Sequence, residues 1–96
     1  MKIDVRKLEE IAALLFKRFK DRNGNEFVLD SDYYWDISSE EIYCPYENPK
    51  NMTLGQLSDD FVEISRLLEG EDPISYDFKR LASILVALSI EHPISI

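Results

Sequence analysis

Residues 53–60 read Thr-Leu-Gly-Gln-Leu-Ser-Asp-Asp, and the state assigned to them decides the fold. Thr53 and Gln56 stand at capping-box spacing, with the Thr hydroxyl placed to accept the backbone N–H three residues on. That spacing predicts a helix from about residue 54. Leu54, Leu57, Phe61, Ile64, Leu67 and Leu68 continue its apolar face, and Gly70 is the expected left-handed stop, giving a helix over 54–69. The same stretch carries a second start signal, because Ser58-Asp59-Asp60 could cap a helix that restarts after Gly55.

Two further helices flank this one. Val5, Leu8, Ile11, Ala12, Leu15, Phe16 and Phe19 repeat at helical spacing, Asp4 can cap the segment and Asn23-Gly24-Asn25 can end it, so a helix is predicted over about 4–20. Asp72-Pro73 opens the last segment. There Tyr76 or Phe78, Leu81, Ile84, Leu85 and Leu88 form a stripe, with Ala82, Val86 and Ile90 apolar beside it. A helix over 74–91 is expected as the central, least wetted element. The predicted class is mainly α, three helices in a single domain over 1–96, a length that suits one core and not two.

About thirty residues join the first helix to the second, and loops of that length are uncommon in compact domains. Five aromatics, Phe27, Tyr33, Tyr34, Trp35 and Tyr43, argue that this connection is ordered. The runs 26–29 and 33–37 suit a short β-hairpin over 26–37, and an irregular loop or helical turn fits nearly as well. Ser38 and Glu41 again show capping-box spacing, which predicts a brief helical turn over 39–44 before Pro45.

Charge is distributed unevenly. The net charge is -8, yet residues 1–22 hold seven basic and four acidic groups, while 23–78 hold two basic and fourteen acidic ones. Nucleic acid is a poor ligand for such a chain, since phosphate neutralisation needs clustered Lys and Arg. The small run Lys17, Arg18, Lys20, Arg22 reads as a solvated helix end complementing the helix dipole. The start, MKIDVRKLEE, has no signal-like apolar region, and the most apolar run, 81–90, is half the length of a membrane span. A cytoplasmic chain with no membrane association is expected. Cys44 is the single cysteine, so no internal disulfide can form, and it reads as a small buried hydrophobe.

No catalytic residue and no cofactor is predicted. His92 is the one histidine, and the motifs of hydrolases, zinc proteases, phosphate loops and dinucleotide folds are missing. Counting Asp30 as position 1 of a calcium loop puts Asp32, Asp36 and Glu41 in the acidic frame. Trp35, however, occupies the place that needs glycine, so no metal site is expected either.

The aromatics then admit two readings. Tyr33, Trp35 and Ile37 could cover the core while Tyr34 and Asp36 face water. Alternatively, the aromatics anchor a protein partner while the surrounding carboxylates steer a basic surface toward them. Together Tyr33-Tyr34-Trp35-Asp36-Ile37, the Pro45–Pro49 loop and Leu54–Asp60 resemble small acidic bacterial proteins, some similar to immunity proteins of contact-dependent growth inhibition systems. That resemblance covers residues 33–60. It implies a cytoplasmic inhibitor that binds one basic toxin or nuclease domain and occludes its active site or substrate surface. The partner-binding candidates are Asp30, Asp32, Tyr34, Asp36, Glu40 and Glu41, extended by Asp59, Asp60 and Glu63. The competing expectation is a small non-catalytic structural or regulatory subunit of an intracellular complex, with the charge conferring solubility.

Overall fold

A computed structural model describes residues 1–94. Among these residues three α-helices and one two-stranded antiparallel sheet follow the order α1 (Val5–Asn23), β1 (Tyr33–Ile37), β2 (Met52–Gln56), α2 (Leu57–Ser65), a 3₁₀ turn (Arg66–Glu69) and α3 (Tyr76–Glu91). The chain forms two compact units. One comprises Met1–Val28 with Ile94, and the other Leu29–Pro93. No helix among the described residues is long and apolar enough to cross a membrane.

The first unit is built on α1. Asp4 caps it by accepting from the N–H groups of Arg6 and Lys7, and Gly24, at φ 82°, ends it with its N–H on the Lys20 carbonyl. Phe19 is buried, and Phe27 returns to meet it edge-on with ring centroids 5.6 Å apart. The rest of the apolar face, from Val5 through Leu8 and Ile11 to Phe16, is exposed.

In the second unit the stretch 52–60 divides. Met52–Gln56 is a strand and the helix begins at Leu57 with Gln56 at the N-cap, so the capping reading of Thr53 and Gln56 is corrected; the helix does start after Gly55, but Ser58, Asp59 and Asp60 lie within its first turn and do not cap it. Pairing decides this outcome. Tyr34 stands opposite Gly55, Trp35 opposite Leu54 and Ile37 opposite Met52, and the apolar strand 33–37 thereby gains a partner that local capping signals cannot offer. The expected hairpin 26–37 is corrected on the same ground: a hairpin exists, but its strands are 33–37 and 52–56, and residues 26–29 form no strand. The loop between the strands contains the turn predicted after Ser38, where the Ser38 carbonyl accepts from the N–H groups of Glu41 and Ile42.

The core of this unit is Leu57 and Ile84, with Leu85 and Leu88 half-buried. Gly70, at φ 96°, ends the 3₁₀ turn in the left-handed conformation and lets the chain turn toward α3. α3 is wetter than its composition suggests. Phe78, Val86 and Ile90 are all exposed, because a nine-residue α2 and a two-stranded sheet leave part of its circumference uncovered. Cys44, expected to be buried, is exposed in the loop between the strands, where its thiol donates to the Glu40 carbonyl.

Candidate functional site

The hairpin has two faces of different character, and its register sorts the residues between them. Tyr34 and Asp36 point toward the helices. The Tyr34 hydroxyl donates to the Asp60 carboxylate of α2 at 2.6 Å, and Asp36 pairs with Lys79 of α3 at 2.6 Å while accepting from the Tyr76 hydroxyl. Tyr33, Trp35, Leu54 and Met52 lie on the opposite face and are exposed at 63%, 66%, 67% and 47%. The reading in which Tyr34 and Asp36 face water while Tyr33 and Trp35 cover the core is therefore inverted. The tyrosine hydroxyl and the carboxylate find hydrogen-bonding partners on the helices, which lets both be half-buried without an unpaired polar atom.

Most of the candidate carboxylates hold the chain together. Asp32 serves the start of α2 from a distance. It accepts from the Gln56 amide at 2.8 Å, from the Ser58 N–H at 2.8 Å and from the Ser58 hydroxyl at 3.0 Å. Gln56, the N-cap residue, makes no side-chain cap bond of its own, so a carboxylate remote in sequence takes the role the local sequence lacks. Glu41 closes the loop between the strands by accepting from the N–H groups of Lys50 and Asn51 and from the Ser38 hydroxyl. Asp60 is buried under Tyr34, and Glu63 is half-buried beside Arg66 at 3.3 Å. Asp30, Glu40 and Asp59 are exposed. The Asp30 and Ser31 N–H groups donate to Glu91, which ties the approach to β1 to the end of α3. Among the described residues no three His, Cys, Asp or Glu side chains gather as a metal ion would require.

These bonds fix the acid response. The Gln56 amide, followed by the Ser58 N–H, holds the Asp32 carboxyl below its ordinary range, and the Lys50 N–H does the same for Glu41. A carboxyl whose pKa is depressed by folding adds stability above its unfolded pKa and loses it as pH falls through the folded value. Stability to urea is thus expected to drop as pH falls below about 4. Asp32→Asn should be less stable at pH 7 and show a shallower acid limb than the parent. Parallel limbs for variant and parent in urea titrations from pH 6 to 2 would contradict the role given to Asp32.

One edge of the sheet is also open. The Leu57 N–H donates to the Asp32 carbonyl at 2.7 Å, which is the bond that flanks a wide pair in an antiparallel ladder. Tyr33↔Gln56 is therefore a wide pair, and with period two so are Trp35↔Leu54 and Ile37↔Met52. In wide pairs the N–H and C=O groups point away from the partner strand. The Ile37 carbonyl conforms, since it accepts from Lys79 of α3 at 3.2 Å. Beside this edge lies an open, mostly apolar groove of about 460 Å³, walled by β1 and by α3, with no β2 residue in its lining.

Residue type alone could not identify the outward set. Local sequence places Leu54 in a helix and gives Met52 no element, and their place beside Trp35 follows only from pairing across a fourteen-residue connection. No family model, no curated protein and no solved structure matches this chain.

Proposed function

We propose that the chain is a non-catalytic binding protein that captures a basic protein partner on the outer face of its hairpin. An immunity protein occluding a toxin or nuclease domain is the reading in view. One observation carries it: Tyr33, Trp35, Leu54 and Met52 form an exposed apolar surface on a unit, 29–93, that holds fourteen acidic and four basic residues. Trp and Tyr dominate the energetics of interfaces, and the surrounding negative field speeds encounter with a cationic surface. A specific complex would bury roughly 800 Å² on each side. The exposed carboxylates Asp30, Glu40 and Asp59 then steer, and the inward ones shape the face that binds.

The direct test starts from the neighbouring gene. Where it encodes a secreted protein with a basic C-terminal domain, expression of that domain should arrest a bacterial host, and co-expression of this chain should restore growth. Trp35→Ala with Leu54→Ala should weaken the complex by about 2 kcal/mol or more, roughly thirtyfold in Kd. Both side chains are more than half exposed, so the melting temperature should hardly move. Undiminished rescue by the double variant would remove this face from the interface.

A second reading, a non-catalytic subunit of a larger complex, draws on α1. Its exposed Val5, Leu8, Ile11 and Leu15 make an apolar stripe of the kind that packs against other helices. Binding that is insensitive to salt and abolished by Leu8→Glu would favour it.

A further inference from the structure

We propose that the partner is held by strand addition: an extended, basic segment pairs with the free edge of β1 and sets alternate side chains into the groove beside α3. This rests on the partner-binding reading and adds to the outer face the β1 edge that borders it, since Tyr33 and Trp35 belong to both. The N–H and C=O groups of Tyr33 and Trp35, and the N–H of Ile37, point away from β2, as the wide-pair register requires. No other hydrogen bond among the described residues uses them. An open strand edge is a template for another strand, and proteins that leave one uncovered either protect it or use it.

The groove supplies what a bare edge lacks. Ala82, Val86 and Ile90 fall four residues apart on one row of α3 and face the strand across the groove. Alternate side chains of an added strand point to one side, so every second residue of the guest would meet this apolar wall. β1 has five residues, about 17 Å at strand rise, which sets a guest segment of similar length. Lys79 and Glu91 stand at opposite ends. Lys79 holds the Ile37 carbonyl and Glu91 the N–H groups of Asp30 and Ser31, so the edge is fixed before a guest arrives.

Charge selects the occupant. The unit that carries the groove has a net charge of -10 by its four basic and fourteen acidic residues. Edge-to-edge pairing of two copies would bring two such units together, which like-charge repulsion opposes, whereas a cationic strand is attracted. The guest is therefore a basic protein's extended segment with apolar residues at alternate positions.

The test uses the full chain, labelled with nitrogen-15, and a capped heptapeptide of alternating lysine and valine. Binding should shift and protect the amides of Tyr33, Trp35 and Ile37. Of two peptides N-methylated at every valine or at every lysine, one removes the donors facing β1 and the other does not. One should lose about tenfold or more in affinity and its counterpart little. The glutamate-valine peptide should not bind. Trp35→Pro deletes an edge N–H while sparing the bonds to β2, and Tyr34 before it is already extended, as proline requires. It should bind more weakly than Trp35→Ala, which keeps that N–H. Should Trp35→Pro fail to fold, Val86→Lys at an exposed groove position should still weaken the peptide.

Equal tolerance of both methylated peptides would overturn strand addition. So would amide protection that grows with chain concentration in the absence of peptide, which would identify a second copy as the occupant. If the peptide fails while Trp35→Ala still impairs rescue from the toxin domain, strand addition falls and the partner-binding reading stands. If neither the peptide nor any basic domain binds, both fall.

Discussion

Gly55→Ala is expected to be among the most damaging single-methyl additions in this chain. A Cβ built on Gly55 would meet the Tyr34 ring, with Cζ nearest and both Cε atoms within 2.6 Å, far inside van der Waals contact. Gly55 and Tyr34 are cross-strand partners, and the ring lies flat over the glycine in the way aromatic side chains cover glycines in edge strands. The φ of Gly55 is not in the left-handed region, so the backbone would accept alanine and the whole cost comes from the ring. Overpacking of this kind costs about 1–3 kcal/mol. A ring forced aside also gives up its bond to Asp60, which adds about 1–3 kcal/mol for a buried acceptor left unpaired. A loss of about 3 kcal/mol would lower Tm by roughly 10–20 °C for a domain of this size. Tyr34→Ala is destabilising too, but in that background Gly55→Ala should be neutral or slightly stabilising, because the clash is gone and strand glycine is intrinsically weak. Equal costs in the two backgrounds would show that the ring and the glycine are not coupled.

The glycine also shows why half of the fold was legible and half was not. α1 and α3 announce themselves through periodicity and termini: Asp4, Gly24 and the apolar row of α3 are local signals, and local bonds satisfy them. Residues 52–56 carry an equally local signal for the wrong state. Thr53 and Gln56 satisfy the capping spacing, yet what stabilises this segment is pairing with residues about twenty positions earlier, and no local pattern encodes it. Gly55 interrupts a proposed helix, where glycine costs about 1 kcal/mol, whereas opposite an aromatic in a strand it makes room for the ring.

The candidate site was legible in composition and illegible in orientation. The stretch 30–43 was recognisable as an unusual mixture of aromatics and carboxylates, but the strand period alone leaves undecided which set faces inward. Asp60, Lys79 and Tyr76 decide it, because they supply partners for Tyr34 and Asp36 and none for Trp35. Asp32 and Glu41 belong to the same lesson. Their density in sequence suggests a recognition surface, while their bonds to the start of α2 and to the loop ends show polar groups satisfying backbone donors.

Replacing the hydroxyl that makes this inward choice should have the second large effect. Tyr34→Phe keeps the ring over Gly55 and removes the hydroxyl that donates to Asp60, which is 8% exposed. A carboxylate deprived of its bond at that depth costs about 2 kcal/mol, within the range for hydrogen bonds to charged groups. Alkaline pH provides the signature. Burial, reinforced by the bond to Asp60, pushes the Tyr34 hydroxyl up to about 12, whereas a tyrosine in the unfolded chain titrates near 10. A group whose pKa is raised by folding contributes its full stability below the unfolded value and loses it as pH climbs toward the folded one. The parent should therefore lose stability between about pH 10 and 12. Tyr76, raised in the same direction by burial and Asp36, contributes to that limb in parent and variant alike. The difference between parent and Tyr34→Phe should be constant from pH 7 to 9 and shrink as Tyr34 ionises in the unfolded chain. Urea midpoints at half-unit pH steps would measure it. A difference that persists unchanged to pH 12 would mean that the hydroxyl proton does not bridge Tyr34 to Asp60, and the inward orientation of the strand would then rest on Asp36 and Lys79 alone.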